Sequence, residues 1–189
     1  MRIGRMVAPV HALGPGERVC LWTQGCSKCC PGCISEELQP DIGPDVQETI
    51  LADILKKTAE RSNCDGLTIS GGDPFEQADA LLRLLQLVRP VFQDILVYTG
   101  FQYEEIISCA AGDSGKDCLA LIDVLIDGRY VDALNRPEFV LRGSGNQDIY
   151  YLNRDAKPVY EAYMRAGRII ECFAHNDTTL ITGILDKKE

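Results

Sequence analysis

Residues 25–33 of this 189-residue chain read GCSKCCPGC. The stretch holds four cysteines, Cys26, Cys29, Cys30 and Cys33, and three of them form the spacing C-x3-C-x2-C (Cys26, Cys30 and Cys33). A short apolar run at residues 19–23 precedes the stretch and has the composition of a β-strand. Thiolates that lie this close together on one loop can all reach a single compact inorganic group.

The spacing favours an iron–sulfur cluster, because cysteine thiolates hold such clusters and ligand spacing differs with cluster type. A [4Fe–4S] cluster bound by three cysteines leaves one iron free to chelate a substrate. The run also reads as C-x2-C-C-x2-C, so a zinc site stays open as an alternative. Structural zinc sites usually separate their two cysteine pairs by ~12–20 residues, whereas these two pairs are adjacent. We expect Cys29 to stand beside the cluster rather than to bind it.

Composition argues against several other classes of protein. The net charge is −9, and no Lys/Arg run is present that could neutralise phosphates, so no nucleic-acid partner is expected. No stretch approaches the ~18 apolar residues of a membrane span, so no membrane association is expected. The first residues lack the apolar core of a secretory signal, which favours a cytoplasmic location. The five remaining cysteines are dispersed and are expected to be small buried residues (Cys20, Cys64, Cys109, Cys118 and Cys172).

Strands and helices alternate along the chain, which is typical of an α/β protein with a parallel sheet. The predicted strands cover residues 19–23, 66–70, 94–99, 121–126 and 139–141. A capping box at Asp45 and Glu48 predicts the start of one helix, and three further helices are predicted over residues 76–89, 103–111 and 155–166. A complete (β/α)8 barrel takes ~250 residues. We therefore expect an incomplete (β/α) barrel of five to six parallel strands, with an open side that admits a large substrate.

The chain is predicted to contain a core domain, residues 1–147, and a C-terminal extension, residues 148–189, packed on that core. The helix over residues 155–166 begins this extension. Residues 168–174 and 178–185 then read as the two strands of a β-hairpin around His175-Asn176-Asp177.

Polar or glycine-rich motifs follow the later predicted strands, where ligands bind in parallel sheets. They are SGGDP (70–74), TG (99–100), DG (127–128) and RGSGNQ (142–147). Glycine allows close approach of backbone to a ligand, so backbone groups of Gly71 and Gly72 are expected to bond an amino acid's ammonium. Asp73 is expected to supply charge or to cap the next helix, and Asp127 to hold ribose hydroxyls.

The cysteine spacing after the first strand, with GGDP after the second, resembles the radical S-adenosylmethionine superfamily. Several segments are similar, in the same order, to the activating enzymes of anaerobic ribonucleotide reductase: GPGERVCLWTQGCSKCCPGC, SGGDP, VYTGFQYEEI, DVLIDGRYVDAL and LRGSGNQ. The resemblance covers residues 14–147.

This resemblance implies an enzyme whose [4Fe–4S] cluster is bound by Cys26, Cys30 and Cys33. Its open iron would bind S-adenosylmethionine, and reductive cleavage would give a 5′-deoxyadenosyl radical that creates a glycyl radical on an anaerobic (class III) ribonucleotide reductase. The resemblance also implies a flavodoxin- or ferredoxin-type electron donor. The residues expected around S-adenosylmethionine are Gly32, Cys33, Ile34, Gly71, Gly72, Asp73, Thr99, Asp127, Arg142, Ser144 and Asn146.

Two alternatives stay open. One is a radical enzyme that acts on another glycyl-radical enzyme, a peptide or a small molecule, since residues 148–189 exceed the usual core of the resembled enzymes. The other is a non-catalytic Fe–S electron carrier or a zinc-binding interaction module, which would not need the GGDP and DVLIDG motifs. Cleavage of S-adenosylmethionine separates the enzymes from the carrier.

Overall fold

A mixed six-stranded sheet forms the centre of the structure. The structure is a computed structural model and describes residues 1–175 and 178–185. Its strands lie in chain order: β1 (Ile3–Val10), β2 (Arg18–Thr23), β3 (Gly66–Gly71), β4 (Asp94–Tyr98), β5 (Val124–Ile126) and β6 (Ile149–Tyr151). Strands β2 to β5 are parallel, while β1 and β6 pair antiparallel at the two edges. The expectation of five to six parallel strands is corrected to four; the incomplete barrel stays a prediction.

The strand at residues 139–141 was wrongly predicted. Val140 and Leu141 are buried there, but in a loop, and the Leu141 carbonyl accepts a hydrogen bond from the Tyr98 hydroxyl at 3.1 Å. A short buried apolar run has the same composition in a loop as in a strand, so periodicity alone does not separate them. The predicted strand at 121–126 is shortened to β5, because residues 119–121 form a 3₁₀ turn.

Five α-helices accompany the sheet among the described residues: α1 (Glu48–Ser62), α2 (Ala78–Val88), α3 (Tyr103–Ile107), α4 (Asp113–Cys118) and α5 (Lys157–Met164). Helix α1 has Gln47 at its N-cap, so the prediction that Asp45 is the N-cap was wrong. The Asp45 carboxylate instead accepts a hydrogen bond from the Met1 amino group at 2.5 Å. No helix in residues 1–175 and 178–185 is long and apolar enough to cross a membrane.

The two faces of the sheet are covered by different parts of the chain. Helices α1 and α2 bury leucines such as Leu55 and Leu84 against one face, in a cluster with Leu67 of β3. On the other face, Tyr160 of α5 packs with Leu96 and other residues of the sheet. The C-terminal segment therefore supplies the cover that the second face would otherwise lack.

An antiparallel hairpin follows α5 and consists of β7 (Ile170–His175) and β8 (Thr178–Gly183). Glu171 of β7 accepts hydrogen bonds from the backbone amides of His11 and Ala12, both at 2.7 Å, and so ties the hairpin to the loop after β1. The expected turn residues Asn176 and Asp177 lie outside the described residues. Strand β6 belongs to the main sheet although it follows residue 147, and the domain boundary there stays a prediction.

A buried ion pair joins the starts of three parallel strands to α5. Arg18 is fully buried and donates to Asp94 Oδ2 at 2.5 Å and to Thr68 Oγ1 at 2.6 Å. The Tyr160 hydroxyl donates to the same Asp94 oxygen at 2.7 Å. Gly66 has room for no side chain, since a Cβ there would lie 2.6 Å from Arg18 Nη1. The guanidinium is thus held by partners from β3, β4 and, indirectly, α5.

We expect Asp94→Ala to lower the free energy of unfolding by about 3–5 kcal/mol, because it leaves the Arg18 charge buried without its partner. Glu161→Ala is the matched control: it removes an exposed ion pair to Lys157 at 3.7 Å, and such pairs contribute about 0.5 kcal/mol or less. Urea unfolding of both cluster-free variants, followed by circular dichroism, measures the difference. Equal losses of stability would contradict the structural role of the pair.

Candidate metal centre

The cysteine loop, residues 25–33, leaves the sheet at the carboxyl end of β2 and is held at its start by backbone hydrogen bonds. The amide of Gly25 donates to the Leu38 carbonyl at 2.8 Å, and the amide of Cys26 donates to the Gln39 carbonyl at 2.9 Å. Gly25 has φ +99°, a left-handed conformation that favours glycine. The chain can therefore turn sharply out of β2 and present its cysteines above the strand ends.

Three of the four cysteines in the loop are partly buried, and Cys29 is exposed. Burial raises the pKa of the Cys26 thiol to about 11, and it also raises the pKa of Cys30. Metal binding must displace these protons, which couples affinity to pH. Cys29 has φ +46°, and its thiol lies 3.9 Å from the Cys26 carbonyl. Its expected place beside the cluster stays a prediction.

The donor set fits a cluster in its chemistry. Among the described residues, no three His, Cys, Asp or Glu side chains are arranged around a single metal ion. In a [4Fe–4S] cluster each cysteine binds a different iron, so its ligands need not converge on one point. Three thiols on one loop, at strand ends and within reach of solvent, are the donors that such a cluster uses.

The turn after β3 packs directly against the start of the cysteine loop. The amide of Gly72 donates to the Thr23 carbonyl at 2.8 Å, and the amide of Asp73 donates to the Gly25 carbonyl at 2.9 Å. A Cβ at Gly71 would lie 2.2 Å from the Thr23 nitrogen, and one at Gly72 would lie 2.2 Å from the Gly25 oxygen. The two glycines are therefore required by the packing of the protein itself. Their expected bond to an ammonium stays a prediction.

Asp73 joins the end of β3 to the end of β4. Its Oδ1 accepts from the Phe75 amide at 3.0 Å and from Thr99 Oγ1 at 2.8 Å, while Oδ2 accepts from the Gly100 amide at 2.9 Å. The side chain is fully buried, and burial raises its pKa to about 6, while the hydrogen bonds it accepts act in the opposite direction. Asp73 caps the 3₁₀ turn before α2, which is one of its two expected roles.

The middle of the cysteine loop is fixed by contacts among four residues that the sequence analysis did not single out: Ser27, Lys28, Glu76 and Phe101. Glu76 Oε1 accepts from Ser27 Oγ at 2.5 Å and from Lys28 Nζ at 3.2 Å. The Lys28 ammonium also lies 3.3 Å from the centroid of the Phe101 ring, and its side chain is only 8% exposed. In the sequence, only the position of Lys28 between Cys26 and Cys29 pointed to a role in the loop. That position does not indicate that Glu76 and Phe101 are its partners.

Asp127 connects the end of β5 to the segments on either side of it. Its Oδ2 accepts from the Tyr103 amide at 2.7 Å and its Oδ1 from the Asp148 amide at 3.0 Å. Burial raises the pKa of this carboxyl. Each oxygen thus already accepts a backbone hydrogen bond, and the expected contact to ribose hydroxyls stays a prediction.

The motif at residues 142–147 braces the segment after β5, residues 128–132. Ser144 Oγ accepts from the amide of Val131 at 3.1 Å, and Asn146 Nδ2 donates to the carbonyl of Arg129 at 2.8 Å. Within the motif, Arg142 donates to the Gln147 carbonyl at 2.7 Å. These three candidates for S-adenosylmethionine contacts all make hydrogen bonds within the protein.

The braced segment lies against the cysteine loop. Burial raises the pKa of the Cys30 thiol, and a backbone hydrogen bond from Tyr130 acts in the opposite direction. A Cβ at Gly32, which has φ +76°, would lie 3.3 Å from Asp132 Oδ1. Ile34, just after the last cysteine, is 55% exposed. The structure thus gathers the motifs after β2, β3, β4 and β5 around one loop, as the order of motifs predicts.

A family model described as a 4Fe-4S single cluster domain matches residues 12–150. The chain is 32% identical over 149 residues to an anaerobic ribonucleoside-triphosphate reductase-activating protein of Escherichia coli (strain K12), with 74% of this chain and 91% of that protein covered. Proteins of the same name from Haemophilus influenzae and Enterobacteria phage T4 are 34% identical over 145 residues and 30% identical over 141 residues. These two matches cover 72% of this chain and 89% and 85% of the relatives.

The chain therefore belongs to the 4Fe-4S single cluster domain family and, more narrowly, to the family of the anaerobic ribonucleoside-triphosphate reductase-activating proteins. The expected relationship to the reductase-activating proteins is confirmed, and so is the class of cluster that the cysteine loop predicts.

We expect Cys26→Ala, Cys30→Ala and Cys33→Ala each to lose the [4Fe–4S] cluster, because each removes one of the three expected ligands. Cys29→Ala, in the same loop, is the control and is expected to keep it. Iron and sulfide content after anaerobic reconstitution, with electron paramagnetic resonance of the reduced protein, distinguishes the four variants. A cluster retained in Cys30→Ala and lost in Cys29→Ala would overturn the ligand assignment.

Proposed function

We propose that this chain is a radical S-adenosylmethionine activating enzyme that installs a glycyl radical on an anaerobic (class III) ribonucleotide reductase. One observation carries the proposal: the C-x3-C-x2-C loop stands at the carboxyl ends of parallel strands, in a chain related to reductase-activating proteins. The cluster would be held by Cys26, Cys30 and Cys33. The reduced cluster would supply one electron to the sulfonium of S-adenosylmethionine, so that one carbon–sulfur bond is cleaved to methionine and a 5′-deoxyadenosyl radical able to take hydrogen from a glycine.

The residues of this chain contribute position and charge. Glu76 and Phe101 hold the side chain of Lys28, so the middle of the cysteine loop is fixed over the ends of β3 and β4. Asp73 ties those two strand ends together and places a carboxyl beside the loop. Because catalysis by a cofactor depends on where the protein holds its reactive atom, these contacts support the proposed role of the loop.

The surface around the loop supports a macromolecular substrate. Residues 31, 32 and 34 are exposed next to the last cysteine, so a segment of another protein can approach the loop from solvent. The printed names of the relatives specify a reductase as the protein activated. On that basis we propose the anaerobic ribonucleotide reductase as partner. A flavodoxin- or ferredoxin-type electron donor is proposed only from the resemblance of the sequence motifs.

The test is an anaerobic mixture of the reconstituted protein, a reductant, S-adenosylmethionine and the anaerobic ribonucleotide reductase of the same organism. We expect 5′-deoxyadenosine and methionine to form together and a glycyl-radical doublet to appear on the reductase in electron paramagnetic resonance. The Cys30→Ala variant serves as control and should give neither signal, since it lacks a cluster ligand.

Two other outcomes identify the alternatives. Cleavage of S-adenosylmethionine without a doublet on the reductase would show a radical enzyme with a different target. A stable, reducible cluster without any cleavage would instead show an electron carrier, and either result would overturn the proposal.

A further inference from the structure

We propose that Arg168, in the C-terminal extension, is a positioning residue for the cysteine loop and acts through Asn135 and Tyr130. The inference rests on the cluster site of the proposed function, but not on what the enzyme activates. The family model ends at residue 150, so Arg168 lies in a part of the chain that the shared family does not define.

The first link joins Arg168 to the segment after β5. The guanidinium donates to Asn135 Oδ1 at 2.7 Å, to the Phe139 carbonyl at 2.9 Å and to the Arg136 carbonyl at 2.5 Å. The planar guanidinium has several N–H donors in fixed directions and can bond all three acceptors at once. A lysine ammonium on its flexible stem would not fix their relative positions in this way. Arg168 precedes β7, so the hairpin and this segment are fixed to one another.

The second link is the buried amide of Asn135. While its oxygen accepts from Arg168, its Nδ2 donates to the Tyr130 hydroxyl at 3.2 Å and to the Leu185 carbonyl at 3.0 Å. Asn135 is 7% exposed, and an amide group left unpaired at such a depth would be costly. The extension therefore holds this side chain from two sides, through Arg168 and through Leu185.

The third link is Tyr130, which lies against the cysteine loop. Its hydroxyl accepts from Asn135 and donates to Asp132 Oδ1 at 3.0 Å. That Asp132 oxygen lies 3.3 Å from the position that a Cβ at Gly32 would take, between Cys30 and Cys33. Burial raises the pKa of Cys30, and a backbone hydrogen bond from Tyr130 acts in the opposite direction. Hydrogen bonds to the sulfurs are one determinant of the reduction potential of an iron–sulfur cluster. A hydrogen-bond donor held beside the cluster stabilises the reduced cluster, which carries more negative charge, and so raises its reduction potential.

The experiment uses the full-length, reconstituted protein and measures the midpoint potential of the cluster by a redox titration followed by electron paramagnetic resonance. Arg168→Gln and Tyr130→Phe are each expected to shift the potential to a more negative value. The double variant is expected to show the shift of one single variant rather than the sum, because both substitutions break one path. Arg165→Gln, an exposed arginine of the same extension, is the control and should leave the potential unchanged.

An unchanged potential in both single variants, with lowered stability to urea, would overturn the proposal and show that the extension only completes the core. Additive shifts in the double variant would also overturn it. If Arg168→Gln fails to retain its cluster, the Tyr130→Phe variant decides alone, and a wild-type potential there refutes the path. None of these measurements requires S-adenosylmethionine or the reductase, so they stand even if the proposed activity fails.

Discussion

The close packing of the Gly71-Gly72 turn on the start of the cysteine loop is the constraint on which the candidate site depends. The parallel pairing of β2 and β3 continues past the ends of both strands through two backbone hydrogen bonds, from Gly72 to Thr23 and from Asp73 to Gly25. This continuation leaves no space for a side chain at either glycine. The cysteine loop is thus placed by backbone geometry, which relates the metal centre directly to the register of the sheet.

Hydrogen bonds to the backbone also connect the ends of the other parallel strands. Asp73 links β3 to β4, and Asp127 links β5 to α3, in each case through carboxylate oxygens that accept backbone amides. Ser144 and Asn146 then brace the segment that faces Cys30. Polar residues of the rim therefore form a connected frame around the loop. Such a frame holds the cysteine loop in one position, and holding a cofactor's reactive atom in place is what a protein contributes to cofactor chemistry.

Sequence reasoning succeeded where local chemistry decides the structure and failed where tertiary contacts do. The cysteine spacing and the order of the glycine motifs predicted which segments meet, because parallel strands end on the same side of a sheet. It did not find β1, nor the contact of Lys28 with Glu76, which lies 48 residues away in the chain. The sequence analysis also misread residues 139–141 as a strand, because a buried loop that is not paired in the sheet has the same apolar residues as a buried strand. Asp45 was misplaced as a cap because its partner, the Met1 amino group, is distant in sequence.

The most direct test of the account is the iron content of a Gly72→Ala variant after anaerobic reconstitution. A single methyl group there meets the Gly25 oxygen at 2.2 Å, so we expect the cysteine loop to shift and the cluster to be lost or strongly depleted. Gly112→Ala is the control, because it strains the backbone at φ +82° but adds its methyl group where no atom lies within 4 Å. A full [4Fe–4S] cluster in Gly72→Ala, with only weaker binding of S-adenosylmethionine, would contradict the claim that this packing builds the site.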